Sequence, residues 1–377
     1  MRLYSFSAML ATHFQRWTYQ KVAKPIFFRF DPEAVHDLVT AFGKRLGTHA
    51  LTRRVCERLY RFEHPSLVQT IRGIRFENPI GLTAGFDKNA ELTRIMPSVG
   101  FGFEEIGSVT GEPCEGNPKP RLWRLPKSRG LVVYYGLKND GAETIAARLR
   151  KESLSFPVGI SIAKTNNACT VDVEAGVADY VKAYRAFVGI GQYITVNVSC
   201  PNAFGGEPFT TPERLDRLLS ALDQETPDKP LFLKLPVDIE PAEFDALRGI
   251  ADRHRVDGFV LSNLTKRRDR PGVVAEEVHG LNRGGISGRP VFDASNILIE
   301  HAFRTCGSRY VIIGSGGVFS AEDAYEKIRR GASLVQLATG MIFEGPQLIG
   351  EINRGLAELL RKDGFTSVSQ AVGTRTA

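Results

Sequence analysis

Short apolar runs, rather than strict alternations of apolar and polar residues, recur along the chain from residue 78 onward. Runs of this kind are typical of parallel strands that are buried on both faces. Eight are predicted as strands, at 79–84, 103–109, 158–163, 193–199, 231–235, 258–262, 310–314 and 334–338. Helical patterns lie between them, at 142–152, 173–188, 212–222, 241–254, 292–303 and 321–331. This repeated alternation of strand and helix predicts an α/β fold, a (β/α)8 TIM barrel.

Two segments interrupt the alternation. Residues 110–138 follow the second predicted strand, and residues 264–290 follow the sixth; both are rich in glycine and arginine. Connections of this length inside a compact domain usually bind ligands or cover active sites. Both follow the carboxyl ends of strands, where (β/α)8 barrels place their active sites. We therefore predict that both are binding loops.

The N-terminal part of the chain has a different pattern. Residues 1–30 contain no acidic side chain and mix basic with aromatic residues. That mixture suits a helix lying on a membrane surface, a mitochondrial presequence or a helix packed on the core. Residues 31–61 are predicted to be helical, with Asp31 at the start. We expect a helical extension over 1–65 and a catalytic barrel over 66–377.

Charge and cysteine content exclude some functions. The net charge is +7 and the pI is about 9.1, but no stripe of basic residues interleaved with aromatic ones is present, so nucleic-acid binding is not indicated. The five cysteines are scattered, without a CxxC pair or a Cys/His cluster. This arrangement predicts neither a structural zinc site nor a disulfide framework, and favours a reducing compartment. No apolar run is long enough to span a bilayer.

Polar residues stand where the predicted strands end. Asn197 and Cys200 follow the fourth strand. Cys200 is either a small buried apolar residue or a general base, because a thiol with a pKa of about 8.5 needs little help to act near neutral pH. Lys234 lies near the end of the fifth strand and Lys88 follows the first. A lysine in that position could form a Schiff base or place a cation beside a reduced flavin.

Glycine-rich turns follow the last two predicted strands. They span residues 314–317 and 338–340, and residues 284–288 add a third such turn earlier in the chain. Turns of this kind after strands seven and eight form the usual phosphate site of a (β/α)8 barrel. The sequence therefore predicts a ligand that carries a phosphate group.

Several motifs resemble those of the dihydroorotate dehydrogenase family, in particular its membrane-associated, quinone-using class (class 2). They are Ala84-Gly85-Phe86-Asp87-Lys88, Gly116-Asn117-Pro118-Lys119-Pro120-Arg121, Asn197-Val198-Ser199-Cys200-Pro201-Asn202, Ser287-Gly288-Arg289-Pro290 and Gly314-Ser315-Gly316-Gly317. The resemblance covers nearly the whole chain. It implies an FMN-dependent dehydrogenase that oxidises a CH–CH bond next to a carbonyl, with dihydroorotate as substrate, in pyrimidine biosynthesis. It also implies a quinone acceptor and peripheral contact with the bacterial inner membrane, on its cytoplasmic face, or with the mitochondrial inner membrane.

The resemblance also implies roles for single residues. Cys200 and Lys88 are the implied catalytic residues. FMN is expected to contact Ala84, Gly85, Lys88, Ser108, Ser161, Asn197, Lys234, Ser262, Gly288, Gly317, Ala338 and Thr339. The substrate is expected to contact Lys88, Val133, Asn197, Asn202, Asn263 and Leu264.

Departures from the family pattern cluster around the implied substrate. Cys200 stands where the quinone-using class has serine, and Ser161 where the family has a flavin-contacting asparagine. Val133 replaces an asparagine and Leu264 a threonine or serine. These changes favour a second hypothesis, in which the same flavin chemistry dehydrogenates or reduces a different, less polar cyclic substrate. A Schiff-base lyase using Lys234 and a non-catalytic membrane-bound flavoprotein are two further hypotheses.

Overall fold

A computed structural model describes residues 6–206 and 209–375. Eight parallel strands form a closed barrel, in which each strand pairs with the next along the chain and the last pairs with the first. The strands are β1 (Ile80–Leu82), β2 (Phe103–Val109), β3 (Val158–Ile162), β4 (Tyr193–Asn197), β5 (Leu231–Leu235), β6 (Gly258–Leu261), β7 (Val311–Ser315) and β8 (Leu334–Leu337). The predicted (β/α)8 TIM barrel is confirmed, with several strands shorter than predicted.

Large and small residues alternate around the amino-terminal end of the barrel. A Cβ atom on Gly81 would lie 2.3 Å from the ring of Phe103, and one on Gly159 would lie 2.0 Å from the ring of Tyr193. The two glycines therefore make room for aromatic rings on the neighbouring strands. A hairpin of strands Gln69–Ile71 and Ile74–Phe76 packs on this end of the barrel, because Phe76 meets Phe103 edge to face with ring centroids 5.4 Å apart.

Amphipathic helices cover the outside of the barrel. They are Ala142–Leu149, Val173–Ala186, Pro212–Asp223, Pro241–Ala251, Phe292–Cys306, Ala321–Arg329 and Leu348–Lys362. The first six confirm the predicted helices. The helix Leu348–Lys362 was not predicted, although its buried leucines and isoleucines recur at helical spacing. Shorter helices are Met96–Val99, Ala275–Val278, Thr339–Glu344 and Val368–Ala371.

The N-terminal extension consists of helices that rest on the carboxyl-terminal side of the barrel. Its elements are Phe6–Thr18, a π-helical turn Tyr19–Ala23, Lys24–Phe27, Pro32–Thr48 and Ala50–Tyr60. The Tyr19 hydroxyl donates to the carbonyl of Ile342 (2.6 Å), just beyond β8. Asp31 begins a helix as predicted, because its carboxylate accepts from the N–H of Ala34 (2.9 Å). No helix in the described ranges is long and apolar enough to cross a membrane; residues 1–5 lie outside the described residues.

The two predicted binding loops are joined in one antiparallel sheet. Its strands are Leu122–Leu125, Gly130–Val133 and Gly285–Gly288, with the middle strand pairing on both sides. The prediction of loops was therefore incomplete. Two of its strands form a local hairpin, but the third pairs with this hairpin from more than 150 residues further along the chain. Pairing at that separation leaves no local pattern in the sequence, so only the folded chain reveals the three-stranded sheet.

Candidate active site

The carboxyl ends of the barrel strands open into one cavity beneath this sheet. Its wall includes residues from all three strands of the sheet and from the helix Pro32–Thr48. Among the predicted site residues, it contains Ala84, Gly85, Lys88, Ser108, Val133, Asn197, Cys200, Asn202, Lys234, Ser262, Asn263, Leu264, Gly288, Gly317, Ala338 and Thr339. The structure thus brings together residues that are up to 255 positions apart (84 to 339).

Ser161 is the one predicted site residue that does not line the cavity. Its hydroxyl lies 2.7 Å from that of Ser108, which accepts a hydrogen bond from the Asn197 carboxamide at 2.7 Å. Both Ser161 and Asn197 are buried. Ser161 therefore supports a side chain of the cavity wall from below instead of reaching the cavity itself.

Cys200 is half-buried in the wall, on the segment that follows β4. Carboxamides hold this segment on both sides. Asn263 donates to the carbonyl (3.0 Å) and the hydroxyl (2.9 Å) of Ser199. Asn202 donates to the carbonyl of Val133 (2.8 Å), which ties the segment to the three-stranded sheet. The thiol is thus held at a defined place in the cavity.

Lys234 is buried, and within the described residues its ammonium has only weak partners. Its ammonium lies 3.4 Å from the Thr83 hydroxyl and 3.9 Å from Oε1 of Glu105. Burial lowers the pKa of Lys234, and Glu105 opposes this shift. Glu105 was not recognised from the sequence, although a glutamate inside an apolar strand is itself a signal; its Oε2 accepts from Thr195 and Gln336, both at 2.9 Å. The Lys234 ammonium therefore has donor capacity left for a ligand.

Lys88 and Tyr135 contact each other in the wall of the same cavity. The Lys88 ammonium lies 4.0 Å from the centroid of the Tyr135 ring, close enough for a cation–π interaction. Burial lowers the pKa of Lys88 to about 8. The Tyr135 hydroxyl is buried without a hydrogen-bond partner in the described part of the chain, and its pKa is raised by burial. Tyr135 was missed in the sequence because it lies inside a long connection.

Two glycines of the cavity wall have no space for a Cβ atom. They are Gly317 in the turn after β7 and Gly288 in the third strand of the sheet. A Cβ on Gly317 would lie 2.5 Å from the Cβ of Phe292, and one on Gly288 would lie 2.4 Å from the carbonyl oxygen of Arg129. The backbone N–H groups of Gly317 and Thr339 make no backbone hydrogen bond within the described residues. The N–H groups of Gly317 and Thr339 can therefore donate to an anionic group of a ligand.

Gly85, in contrast, has open space at the position where a side chain would begin. Its φ is +102°, and no atom of the described protein lies within 4 Å of the Cβ that it lacks. Gly85 is part of the cavity wall, and Val133 and Leu264 contribute apolar side chains to the same wall. The space above Gly85 can thus hold a flat ring in contact with the backbone.

His36 brings the N-terminal extension to the cavity. Its Nε2 lies 2.8 Å from the carbonyl of Phe86; since a carbonyl only accepts, this nitrogen carries the proton. Burial, assisted by Lys88, lowers the pKa of His36 to about 4. His36 is therefore neutral near pH 7 and closes the cavity on the side of the helices.

Comparisons with known proteins agree with this geometry. The family model for "Dihydroorotate dehydrogenase" matches residues 66–360. "Dihydroorotate dehydrogenase (quinone)" from Nocardia farcinica is 38% identical over 352 residues, which cover 92% of this chain and 95% of that protein. The protein of the same description from Thermobifida fusca is 38% identical over 364 residues, covering 94% and 96%.

Solved structures extend the likeness to the fold. Ligand-free DHODH from Eimeria tenella superposes with a TM-score of 0.80 at 28% identity, covering 92% of this chain and all of that one. The complex of the Eimeria tenella enzyme with ferulenol has a TM-score of 0.79 at 28% identity, covering 92% and 96%. On the match to the family model and the identity to its bacterial relatives, the chain belongs to the dihydroorotate dehydrogenase family.

Proposed function

We propose that the protein oxidises dihydroorotate to orotate and passes the electrons to a quinone. The observation that carries this proposal is the convergence of Cys200, Lys88 and the carboxamides of Asn197, Asn202 and Asn263 on one cavity. A thiol, a cation and several amides are the groups needed to take a proton from carbon while holding a polar, anionic ring. The family of the chain and the names of its bacterial relatives support the same reaction.

FMN is the proposed cofactor, and the cavity fits it in three places. The open space above Gly85 accepts a flat ring, the turns around Gly317 and Thr339 offer N–H groups to a phosphate, and the Lys234 ammonium has donor capacity left. A bound flavin would accept the second hydrogen of the CH–CH bond as a hydride, with both electrons, and a quinone would then reoxidise it. Asn197 would contact the ring from β4, with Ser108 holding its carboxamide.

The remaining steps belong to the side chains of the protein. The Cys200 thiolate takes the proton from the substrate carbon next to the carbonyl and becomes a thiol. The Lys88 ammonium pairs with the substrate carboxylate, and the Asn202 and Asn263 carboxamides orient the ring. The Lys234 ammonium would stabilise the negative charge of a reduced flavin. In the cavity near Cys200, Val133 and Leu264 add only apolar contacts.

We assign the N-terminal extension to the quinone and the membrane. Its helices expose large apolar side chains while Arg16 and Tyr19 anchor them to the barrel. The exposed side chains include Phe14, Trp17, Ile26, Phe30, Phe42 and Leu51. A surface of this kind favours peripheral contact with a lipid bilayer, either the bacterial inner membrane or the mitochondrial inner membrane. His36 links these helices to the cavity, so a quinone tail could enter from the lipid between them.

The comparisons favour this reaction over the other hypotheses. Both bacterial relatives carry the name of the quinone-dependent enzyme, whereas the hypothesis of a less polar substrate rests on departures from the family pattern, chiefly Val133 and Leu264. A Schiff-base lyase using Lys234 leaves Cys200 and the turns that resemble those of a flavin site unexplained. A non-catalytic flavoprotein leaves Cys200 without a role.

The test is an anaerobic half-reaction. The flavin absorbance of the purified protein is followed after addition of dihydroorotate and then of a soluble ubiquinone analogue. We expect rapid bleaching and then recovery, and slower bleaching, by about 10²–10⁴-fold, in Cys200→Ala. A flavin that dithionite reduces but dihydroorotate does not would reject the proposed substrate. The same bleaching rate in Cys200→Ala would reject the thiol as base.

A further inference from the structure

A buried lysine that is not part of the cavity wall lies directly behind the segment of Cys200. Lys164 stands two residues beyond the end of β3, and only 3% of its surface is exposed. In the barrel, β4 lies between β3 and β5. The segment after β4 that carries Cys200 is therefore flanked by Lys164 on one side and by Lys234 on the other.

The Lys164 ammonium holds the segment after Cys200. It donates to the carbonyl of Phe204 at 2.7 Å and lies 3.4 Å from the Thr170 hydroxyl. Asn166 binds the same residue from the other side, since its carboxamide oxygen accepts from the N–H of Phe204 at 2.7 Å. Both backbone groups of Phe204 are thus fixed by the turn that follows β3.

Neither hydrogen bond of Lys164 neutralises its charge, because a carbonyl and a hydroxyl are both uncharged. A carboxylate that acts on Lys164 belongs to Asp179 on the helix Val173–Ala186, and its oxygens already accept from the N–H and hydroxyl of Thr165 at 2.6–2.9 Å. A buried cation that forms no direct ion pair acts over a longer range than an exposed one. Consistently, the charge of the Cys200 thiolate raises the pKa of Lys164, although burial lowers it more.

We propose that Lys164 is a positioning residue for the proton-transfer step, which holds the segment 200–206 through Phe204 and stabilises the thiolate form of Cys200. The inference rests on the proposed role of Cys200 as base. Two other ionisable groups interact electrostatically with the thiol: Lys234 from β5, which acts in the same direction, and Tyr180 from the helix Val173–Ala186. The Tyr180 hydroxyl donates to the carbonyl of Asn197 at 2.8 Å and carries no charge near neutral pH.

The experiment measures how the rate of Cys200 alkylation by iodoacetamide depends on pH. Mass spectrometry of the Cys200 peptide from the flavin-loaded enzyme separates this thiol from the other four cysteines. In the wild type, we expect the midpoint below the value of about 8.5 for an ordinary thiol. Lys164→Gln should raise the midpoint by about one pH unit, and Lys164→Arg should restore it.

Lys229→Gln is the matched control. The Lys229 side chain is also shielded from solvent and also donates to two carbonyls, those of Phe187 and Ile190, at 2.8 and 2.7 Å, but it additionally pairs with the Asp228 carboxylate at 2.9 Å. It lies before β5, at the opposite end of the barrel from Cys200, and its replacement should leave the midpoint unchanged. Asn166→Ala removes the second anchor of Phe204 but no charge, so it should lower turnover without moving the midpoint.

Two results would overturn the proposal: a wild-type midpoint at or above that of an ordinary thiol, or an unchanged midpoint in folded Lys164→Gln. A wild-type midpoint at or above the ordinary value overturns the proposal even where the glutamine variant does not fold. Alkylation requires no substrate. A protein that failed to oxidise dihydroorotate would therefore disprove the proposed function and still provide this test.

Discussion

Arg121 and Glu33 form a buried two-point ion pair, with Nη2–Oε1 and Nε–Oε2 distances of 2.7 and 3.0 Å. Glu33 belongs to the helix Pro32–Thr48, and Arg121 precedes the first strand of the sheet above the cavity. The remaining guanidinium nitrogen, Nη1, donates to the carbonyls of Glu115 and Asn117, both at 2.8 Å. This pair therefore joins the proposed membrane-binding extension to the roof of the active site.

Replacement of Glu33 tests this connection. Glu33→Gln leaves the Arg121 charge buried without its partner and should lower the free energy of unfolding by about 3 kcal/mol, measured by urea unfolding. Glu77→Gln, which removes an exposed pair with Arg75, should change it by less than about 1 kcal/mol. Similar losses in the two variants would show that the pair of Glu33 with Arg121 contributes little to the free energy of unfolding.

The same pair predicts a pH dependence of stability. Burial alone would raise the pKa of Glu33, but the hydrogen bonds and charge of Arg121 outweigh it and lower the pKa to about 2. A lowered pKa in the folded state means that the stabilisation is complete above the ordinary value of 4.5 and is lost as the pH falls from there towards 2. The difference in stability between wild type and Glu33→Gln should therefore shrink over this interval.

Lys88 should make ligand binding sensitive to alkaline pH. Since burial lowers its pKa to about 8, the cation disappears above that pH, and affinity for the anion orotate should fall up to tenfold per pH unit. Lys88→Met should weaken binding by about 10–100-fold at pH 7 and abolish this dependence. Titration of the flavin spectrum with orotate measures both effects. Lys44→Met, a surface control, should bind orotate with the wild-type affinity. If the affinity of Lys88→Met still fell at alkaline pH, the pH dependence would belong to another group.

Two apolar residues limit how the cavity recognises a polar substrate. The backbone of Val133 is held by Asn202 and by the sheet, so Val133→Asn changes only the side chain. Together with Leu264→Thr it should raise kcat/KM for dihydroorotate by about 10-fold or more, because each new hydrogen bond contributes about 1–3 kcal/mol. Steady-state kinetics measure this. The exposed pair Val171→Asn with Ile297→Thr is the control, and no gain in the first double variant would reject the interpretation.

Gly85 and Gly73 offer a matched pair for testing the flavin site. Both have positive φ values, +102° and +78°, and neither has an atom within 4 Å of the missing Cβ. Gly73 lies in the hairpin on the opposite end of the barrel. Alanine should cost both variants about 1–2 kcal/mol of stability, but only Gly85→Ala should also lose bound flavin, measured as the absorbance ratio of flavin to protein. Equal flavin content would place the ring elsewhere in the cavity.

The order of strands and helices could be predicted because each element carries its own local pattern. Parallel strands are apolar on both faces, and their helices repeat apolar residues at helical spacing, so the eightfold alternation was readable without tertiary information. The strand ends also placed Asn197, Cys200 and Lys234 at one end of the barrel. The assignment of Ser161 to the flavin came from the resemblance alone, and a strand pattern cannot say whether such a residue faces the cavity or supports it.

By itself, therefore, the sequence determined the barrel, the end of the barrel that carries the site and most of the side chains around the cavity. The tertiary structure alone decided the three-stranded roof, the ion pair of Glu33 with Arg121, the ring of Tyr135 against Lys88 and the position of Lys164 behind Cys200. Each of these depends on residues that lie far apart in the chain but close together in the fold. Such contacts depend on the closure of the barrel and on how the long connections pair above it, which no local periodicity encodes.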